Sequence, residues 1–63
     1  MKIEEKRQLK GLNRYELANL VGISFMSYYR YEKGYRVPDA RTAIRIAKAL
    51  DTTVEELWDG NPT

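Results

Sequence analysis

The sequence predicts an all-α fold of five short helices, and three observations carry that prediction. Residues suited to capping helix N-termini recur along the chain: Asn13, Ser24, Asp39 and Thr53. Each has a side-chain oxygen that can take a backbone N–H one turn on. Apolar residues follow these caps at spacings of three and four, the repeat of a helix face. No stretch alternates apolar and polar residues as a half-buried strand does. The 63 residues suffice for one compact domain. A chain this short buries only about 60% of the surface its unfolded form exposes. It has no cysteine and no histidine, so neither disulfides nor zinc can add stability. Stability must rest on tight helix packing or on a partner subunit.

The first helix is predicted over residues 2–10, with Ile3 and Leu9 as apolar contacts and the stems of Lys6 and Lys10 along the core edge. Arg7 lies one turn on from Ile3, on the same side, and Gly11 ends the helix. Leu12-Asn13-Arg14-Tyr15-Glu16-Leu17 is the clearest helix start in the chain. Asn13 is the N-cap, Glu16 can reach back to it as in a capping box, and Leu12 and Leu17 have the spacing of a hydrophobic staple. The second helix runs to Gly22, with Leu17, Leu20 and Val21 as its apolar face. At about two turns it cannot hold alone and must dock on neighbours.

Only Gly22-Ile23-Ser24 separates it from a third helix that stops at Gly34. Ser24 is the N-cap, and Ile23 and Tyr28 again have staple spacing. Ser24, Phe25 and Met26 fall on an exposed first turn, with Arg30 on the same side one turn further. Tyr28 and Tyr31 are read as core with their hydroxyls at the surface. Tyr29, Tyr35 and, on the outer side of the second helix, Tyr15 are read as more exposed. Two short helices joined by a glycine-containing turn form a helix-turn-helix. Tyr35-Arg36-Val37-Pro38 is a loop in which Pro38 holds Val37 extended. Asp39 caps a fourth helix over residues 40–50, with Ala40, Ala43, Ile44, Ala47 and Leu50 as its stripe and Ile46 widening it. Thr53-Val54-Glu55-Glu56 reads as a second capping box and opens a short fifth helix with Leu57 and Trp58. The domain is expected over residues 1–58 and a fraying tail over 59–63.

Charge divides unevenly along the chain. Residues 1–36 carry eight lysines and arginines against four acidic residues, whereas 37–63 carry three against five. A positive first part suits a polyanionic partner. An ordinary mixed-charge surface is the other reading of charge alone. Catalysis finds little support. Without His or Cys a nucleophile–base pair is hard to assemble, and the adjacent pairs Glu4-Glu5 and Glu55-Glu56 diverge around a helix. There is no phosphate-cradling glycine loop and no ligand spacing for zinc or calcium. No enzyme activity, metal, cofactor or small-molecule ligand is therefore expected. No apolar run approaches the ~20 residues of a membrane span, and the charged start does not read as a signal peptide. The expectation is a soluble, cytoplasmic chain.

Read in order, Ile3 with Arg7, Gly11-Leu12, Leu17-Ala18, Val21-Gly22-Ile23-Ser24, Glu32-Lys33-Gly34, Pro38, Ile46-Ala47-Lys48-Ala49-Leu50 and Val54-Glu55-Glu56-Leu57 resemble the Xre/Cro type of phage and bacterial repressor. The likeness covers about residues 3–58. It implies a compact five-helix, lambda-repressor-like DNA-binding domain. It further implies a small transcriptional regulator of repressor type, bacterial or phage-encoded and nucleoid-associated. Such a regulator binds double-stranded DNA as a homodimer, with pairing completed on DNA.

The resemblance also implies roles. Arg7 and Glu32 match an ion pair that ties the first helix to the end of the third. Ser24, Phe25, Met26 and Arg30 match positions that touch base edges or nearby backbone, and Ser27 meets a base, a phosphate or only the cap. Arg30 fits by its chemistry too, since a guanidinium can bridge O6 and N7 of guanine. Arg14 stands where the family has a phosphate-bracing glutamine, keeps that capacity and adds charge. Asn13, Tyr29, Lys33, Tyr35 and Arg36 are the other expected phosphate contacts. Phe25 and Met26 depart from the family, which usually offers polar side chains there. They suit thymine methyl groups or burial by another protein. The second possibility leaves a rival function open: a protein-interaction module on the same fold, an antitoxin or anti-repressor, using the apolar Phe25-Met26 tip.

Overall fold

The caps set the element boundaries. In the computed structural model, which describes residues 2–58, five helices follow in order: α1 (Ile3–Leu9), α2 (Arg14–Val21), α3 (Phe25–Glu32), α4 (Ala40–Ala49) and α5 (Val54–Leu57). No strand occurs among the described residues, and the expected tail over 59–63 lies outside them. Asn13, Ser24, Asp39 and Thr53 each accept the backbone N–H three residues on. At α2 the Glu16 carboxylate returns a bond to the Asn13 N–H at 2.8 Å and completes the capping box. At α5 the Thr53 half of the box forms, and the Glu56 carboxylate takes the Thr52 hydroxyl at 2.6 Å.

Four of the helices end alike. Backbone N–H groups bond backwards in nested pairs: Leu12 to Arg7 with Gly11 to Gln8, Ile23 to Ala18 with Gly22 to Asn19, Tyr35 to Arg30 with Gly34 to Tyr31, and Thr52 to Ala47 with Asp51 to Lys48. This Schellman arrangement needs one residue at left-handed backbone angles. Glycine fills that place three times; after α4 it is Asp51, at φ 54°. A short polar side chain tolerates the conformation better than most, and the Asp51 carboxylate pairs with the Lys10 ammonium.

The core forms around α2, which packs on α3 and α4, while α4 packs on α5. Leu17, Ala18 and Val21 make its inner face, and Ile3, Tyr28, Ile46, Leu50 and Leu57 close around them. Ile3, Leu17, Ile46 and Leu57 are fully enclosed, and each such burial is worth about 1.5–3 kcal/mol. The Lys2 N–H donates to the Leu57 carbonyl at 2.9 Å and ties α5 back to the start of α1. Helix α3 thus has its main helix–helix packing against α2.

Leu9, Leu20 and Ile44, expected to be core, are exposed. At about 100° per residue, Leu9 faces away from Ile3 and Arg7. Leu20 falls about 60° outside the sector of Leu17, Ala18 and Val21, and Ile44 does the same beside Ala43, Ile46 and Ala47. Ile46, expected only to widen the α4 stripe, is fully buried, and Ala40 is exposed. Helices this short bury a narrow sector, and an apolar residue next to that sector stays outside.

Gly22, at φ 83°, has nothing within 4 Å of an added Cβ. Gly22→Ala therefore adds backbone strain without a clash. The expected cost is about 1 kcal/mol, which corresponds to a fall of about 4–8 °C in Tm for a domain of this size. Thermal unfolding checks it; an unchanged Tm would mean the turn does not rest on left-handed geometry.

Candidate nucleic-acid interface

Glu32, at the end of α3, has its side chain wholly removed from solvent. An isolated buried carboxylate costs on the order of several kcal/mol, and here three donors converge on it. Arg7 Nε, from α1, donates to Oε1 at 3.0 Å, and Arg14 Nε, from the first residue of α2, donates to Oε2 at 2.8 Å. The Tyr28 hydroxyl, one turn back on α3, donates to Oε1. Arg7 Nη1 also donates to the Leu12 carbonyl at 2.8 Å, which ties in the turn between α1 and α2. Glu4 Oε2 stands 3.9 Å from both guanidinium groups, so two cations face two carboxylates. No buried side-chain polar atom among the described residues lacks a partner.

Burial alone would raise the Glu32 carboxyl. The hydrogen bonds from Tyr28, Arg14 and Arg7 outweigh it and hold the group below its ordinary value. The Tyr28 hydroxyl is pushed well above the tyrosine range, by burial first and then by its bond to Glu32. The bond to Glu32, then the charge beside it, raises Arg14. Tyr28 thus corrects one expectation: its hydroxyl turns inward rather than to the surface. A carboxylate offers about four lone-pair sites, and with water excluded one arginine cannot fill them.

On the outward side, aromatic rings stand in a row. Tyr15 of α2 stacks on Phe25 with ring centres 4.2 Å apart and planes at 15°. Tyr29 follows Phe25 at 6.2 Å, and Tyr35 follows Tyr29 at 6.4 Å. The Arg14 guanidinium lies 5.4 Å and the Lys33 ammonium 5.8 Å from the centre of the Tyr29 ring, both within cation–π range. Spacing explains the row, because Phe25, Tyr29 and Lys33 are successive fourth residues along one line of α3. Arg14 belongs both to this row and to the buried network.

The residues singled out in the sequence take distinct places. Ser24 Oγ accepts the Ser27 N–H at 3.1 Å, and its hydroxyl donates to Ser27 Oγ at 3.0 Å. Ser24 is thereby committed to the helix start, and the two hydroxyls share one hydrogen bond. Phe25 is half-buried against Tyr15. Met26, 53% exposed, and the exposed Arg30 are neighbours one turn apart. Asn13 is engaged in its capping box. Lys33, Tyr35 and Arg36 are exposed around the end of α3, where the Arg36 N–H bonds to the Arg30 carbonyl at 3.3 Å. The fold gathers Arg14, Tyr29, Lys33 and Tyr35 into one patch along the helix that carries Met26 and Arg30. Three partners escaped the sequence reading: Tyr28 and Arg14 for Glu32, and Tyr15 for Phe25. The i, i+4 spacing of Tyr28 and Glu32 is a usable signal. The other two pairs cross between helices and leave none. Among the described residues no group of acidic side chains is arranged to hold a metal, and no helix is long and apolar enough to cross a membrane.

A family model described as helix-turn-helix matches residues 3–57, a span that includes α2, the Gly22-Ile23-Ser24 turn and α3. The chain belongs to the helix-turn-helix family, and the resemblance to Xre/Cro-type regulators is met. Among particular relatives, the cryptic phage CTXphi transcriptional repressor RstR of Vibrio cholerae serotype O1 is 38% identical, over 90% of this chain and 54% of its own length. The HTH-type transcriptional regulator YqaE of Bacillus subtilis is 34% identical, over 92% of this chain and 50% of its own. The HTH-type transcriptional regulator AnsR of the same organism is 36% identical, over 89% and 48%. The chain spans about half the length of these curated relatives. No solved structure matches significantly.

The network implies a pH dependence. A carboxyl whose folded value lies below its unfolded one stabilises the fold above the ordinary carboxylate range and loses that contribution as pH falls through the folded value. Asp39, lowered by its hydrogen bonds with Thr42, acts in the same sense. Tm should therefore fall as pH drops below 4.5, the ordinary value for Glu32, and Glu32→Gln should make that fall shallower. Tyr28, raised from 10.0, works at the other end, and Tm should fall again above that pH. Thermal unfolding across pH checks both limbs; an identical acid limb in Glu32→Gln would remove Glu32 from the account.

Proposed function

We propose that this chain binds double-stranded DNA with sequence preference and acts as a transcriptional regulator of repressor type. The observation that carries the reading is the outer face of α3. Met26 and Arg30 are exposed one turn apart, beside the cations Arg14 and Lys33 that flank Tyr29 and followed by Arg36. The major groove admits a helix, and its base edges offer what these two side chains can use. Arg30 bridges O6 and N7 of a guanine, and Met26 packs on a thymine methyl group. Ser27 donates to a base or a phosphate. Lys33, Tyr35, Arg36 and the remaining N–H groups of Arg14 meet the backbone and set register, with Asn13 and Tyr29 beside them. The chain works in the cytoplasm at the nucleoid, as a homodimer on DNA with half-sites about 34–36 Å apart.

The names of the relatives support this reading, since they are a transcriptional repressor and HTH-type transcriptional regulators. The rival protein-docking reading drew on an apolar tip of two side chains. Phe25 is stacked on Tyr15 instead of being presented, which leaves Met26 alone.

Titration of a selected duplex at several salt concentrations tests the proposal. Arg30→Ala should cost about 1–3 kcal/mol and relax preference at one base position. Lys33→Ala or Arg36→Ala should weaken binding to all sequences alike and lower the log–log salt slope by about one. Equal binding to every duplex, untouched by Arg30→Ala, would refute base reading by α3.

A further inference from the structure

We propose that Tyr15 determines which base the first turn of α3 reads, by holding Phe25 against α2 and leaving Met26 as the side chain offered to the groove. The inference rests on the DNA-reading function above and adds a positioning residue outside the reading helix.

Phe25 is the first residue of α3, yet it stands apart from the hydrophobic core. Open clefts of about 450 Å³ and 620 Å³ flank its ring. One is bordered by Ala18, Asn19 and Ile23, the other by Arg7, Asn13 and Arg14, and Tyr15 borders both. The ring lies outside the core and borders open space, so core packing does not fix its position. The near-parallel contact with Tyr15 at 4.2 Å does, assisted by the more distant Tyr29 ring. Tyr15 is itself 68% exposed, and it lies within the Asn13–Glu16 capping box by which the start of α2 is set. Its ring contributes little to the core and much to the place of one neighbour.

The consequence follows from what the groove displays. Bases in a duplex are stacked, so a side chain in the major groove meets edges and methyl groups rather than ring faces. A phenyl ring released at the start of α3 competes with Met26 for the same apolar feature. Clamped on Tyr15, it is withdrawn, and the unbranched, pliable Met26 makes the contact.

Selection of bound sites from a random duplex pool tests this, using the 63-residue chain with Tyr15→Ala, Tyr15→Phe and Tyr15→Ala combined with Phe25→Ala. Tyr15→Phe keeps the ring face and should select the wild-type sequence. Tyr15→Ala should change the preferred base at one step under the first turn of α3, and shift the affinity ratio of the two duplexes about three- to tenfold. The base read by Arg30 should stay the same. Removing the released ring in the double variant should restore the wild-type choice. Tyr15→Leu gives the same comparison if alanine lowers stability. A Tyr15→Ala or Tyr15→Leu chain that selects the wild-type sequence overturns the proposal, whatever its affinity. Equal weakening on all duplexes also overturns it and makes Tyr15 a backbone contact. A wild-type chain that enriches no sequence removes the DNA-reading function, and this inference with it.

Discussion

The carboxylate of Glu32 sits at the end of α3 without access to water, and its charge is met by groups from three helices. Arg7 reaches it from α1, Arg14 from α2, and Tyr28 from α3 itself. Burying such charges costs desolvation energy that pairing only partly offsets. The gain is geometric. Each donor reaches Glu32 along one direction, so α3 can neither rotate nor slide without breaking a bond to a group that water cannot replace. The apolar core is less particular. Tyr28 is the one side chain of α3 fully enclosed in it, with Tyr31 packed against its margin, and apolar contacts tolerate small rotations that directed hydrogen bonds do not.

Arg14 links this buried system to the outer surface. One of its nitrogens holds Glu32, while its guanidinium lies over Tyr29, next in the row that begins with Tyr15 and Phe25. Inner and outer bracing of α3 thus share a residue at the start of α2. The capping box of Asn13 and Glu16 holds the backbone there. Held on both sides, α3 presents Met26 and Arg30 at a constant angle, the condition that the proposed base-edge contacts require.

Much of the fold was legible because it is written in local rules. Asn13, Ser24, Asp39 and Thr53 announced the helix starts, and glycine announced the stops at Gly11, Gly22 and Gly34. Asp51 escaped because nothing in sequence marks an aspartate as left-handed. Leu9, Leu20 and Ile44 misled because apolar residues at nearly the right spacing look like core, and only the docking direction separates them. The outward face of α3 was readable from spacing within one helix. The Tyr15–Phe25 stack and the Arg14–Glu32 bond were not, since both depend on how α2 meets α3. Spacing within α3 therefore places Phe25 on an exposed tip, whereas the neighbouring helix withdraws it.

Whether Glu32 orients α3 for DNA, beyond stabilising the fold, is tested most directly by Arg7→Met, Glu32→Leu and the double variant. Each is measured by denaturant unfolding and by titration with the selected duplex. Glu32→Leu alone leaves the Arg7 guanidinium buried without its carboxylate, a loss of about 3–5 kcal/mol for such pairs. The double variant should be more stable than that single variant, yet bind the duplex more weakly than the wild type. Additive losses of stability, or a double variant that binds as tightly as the wild type, would contradict the orienting role of Glu32.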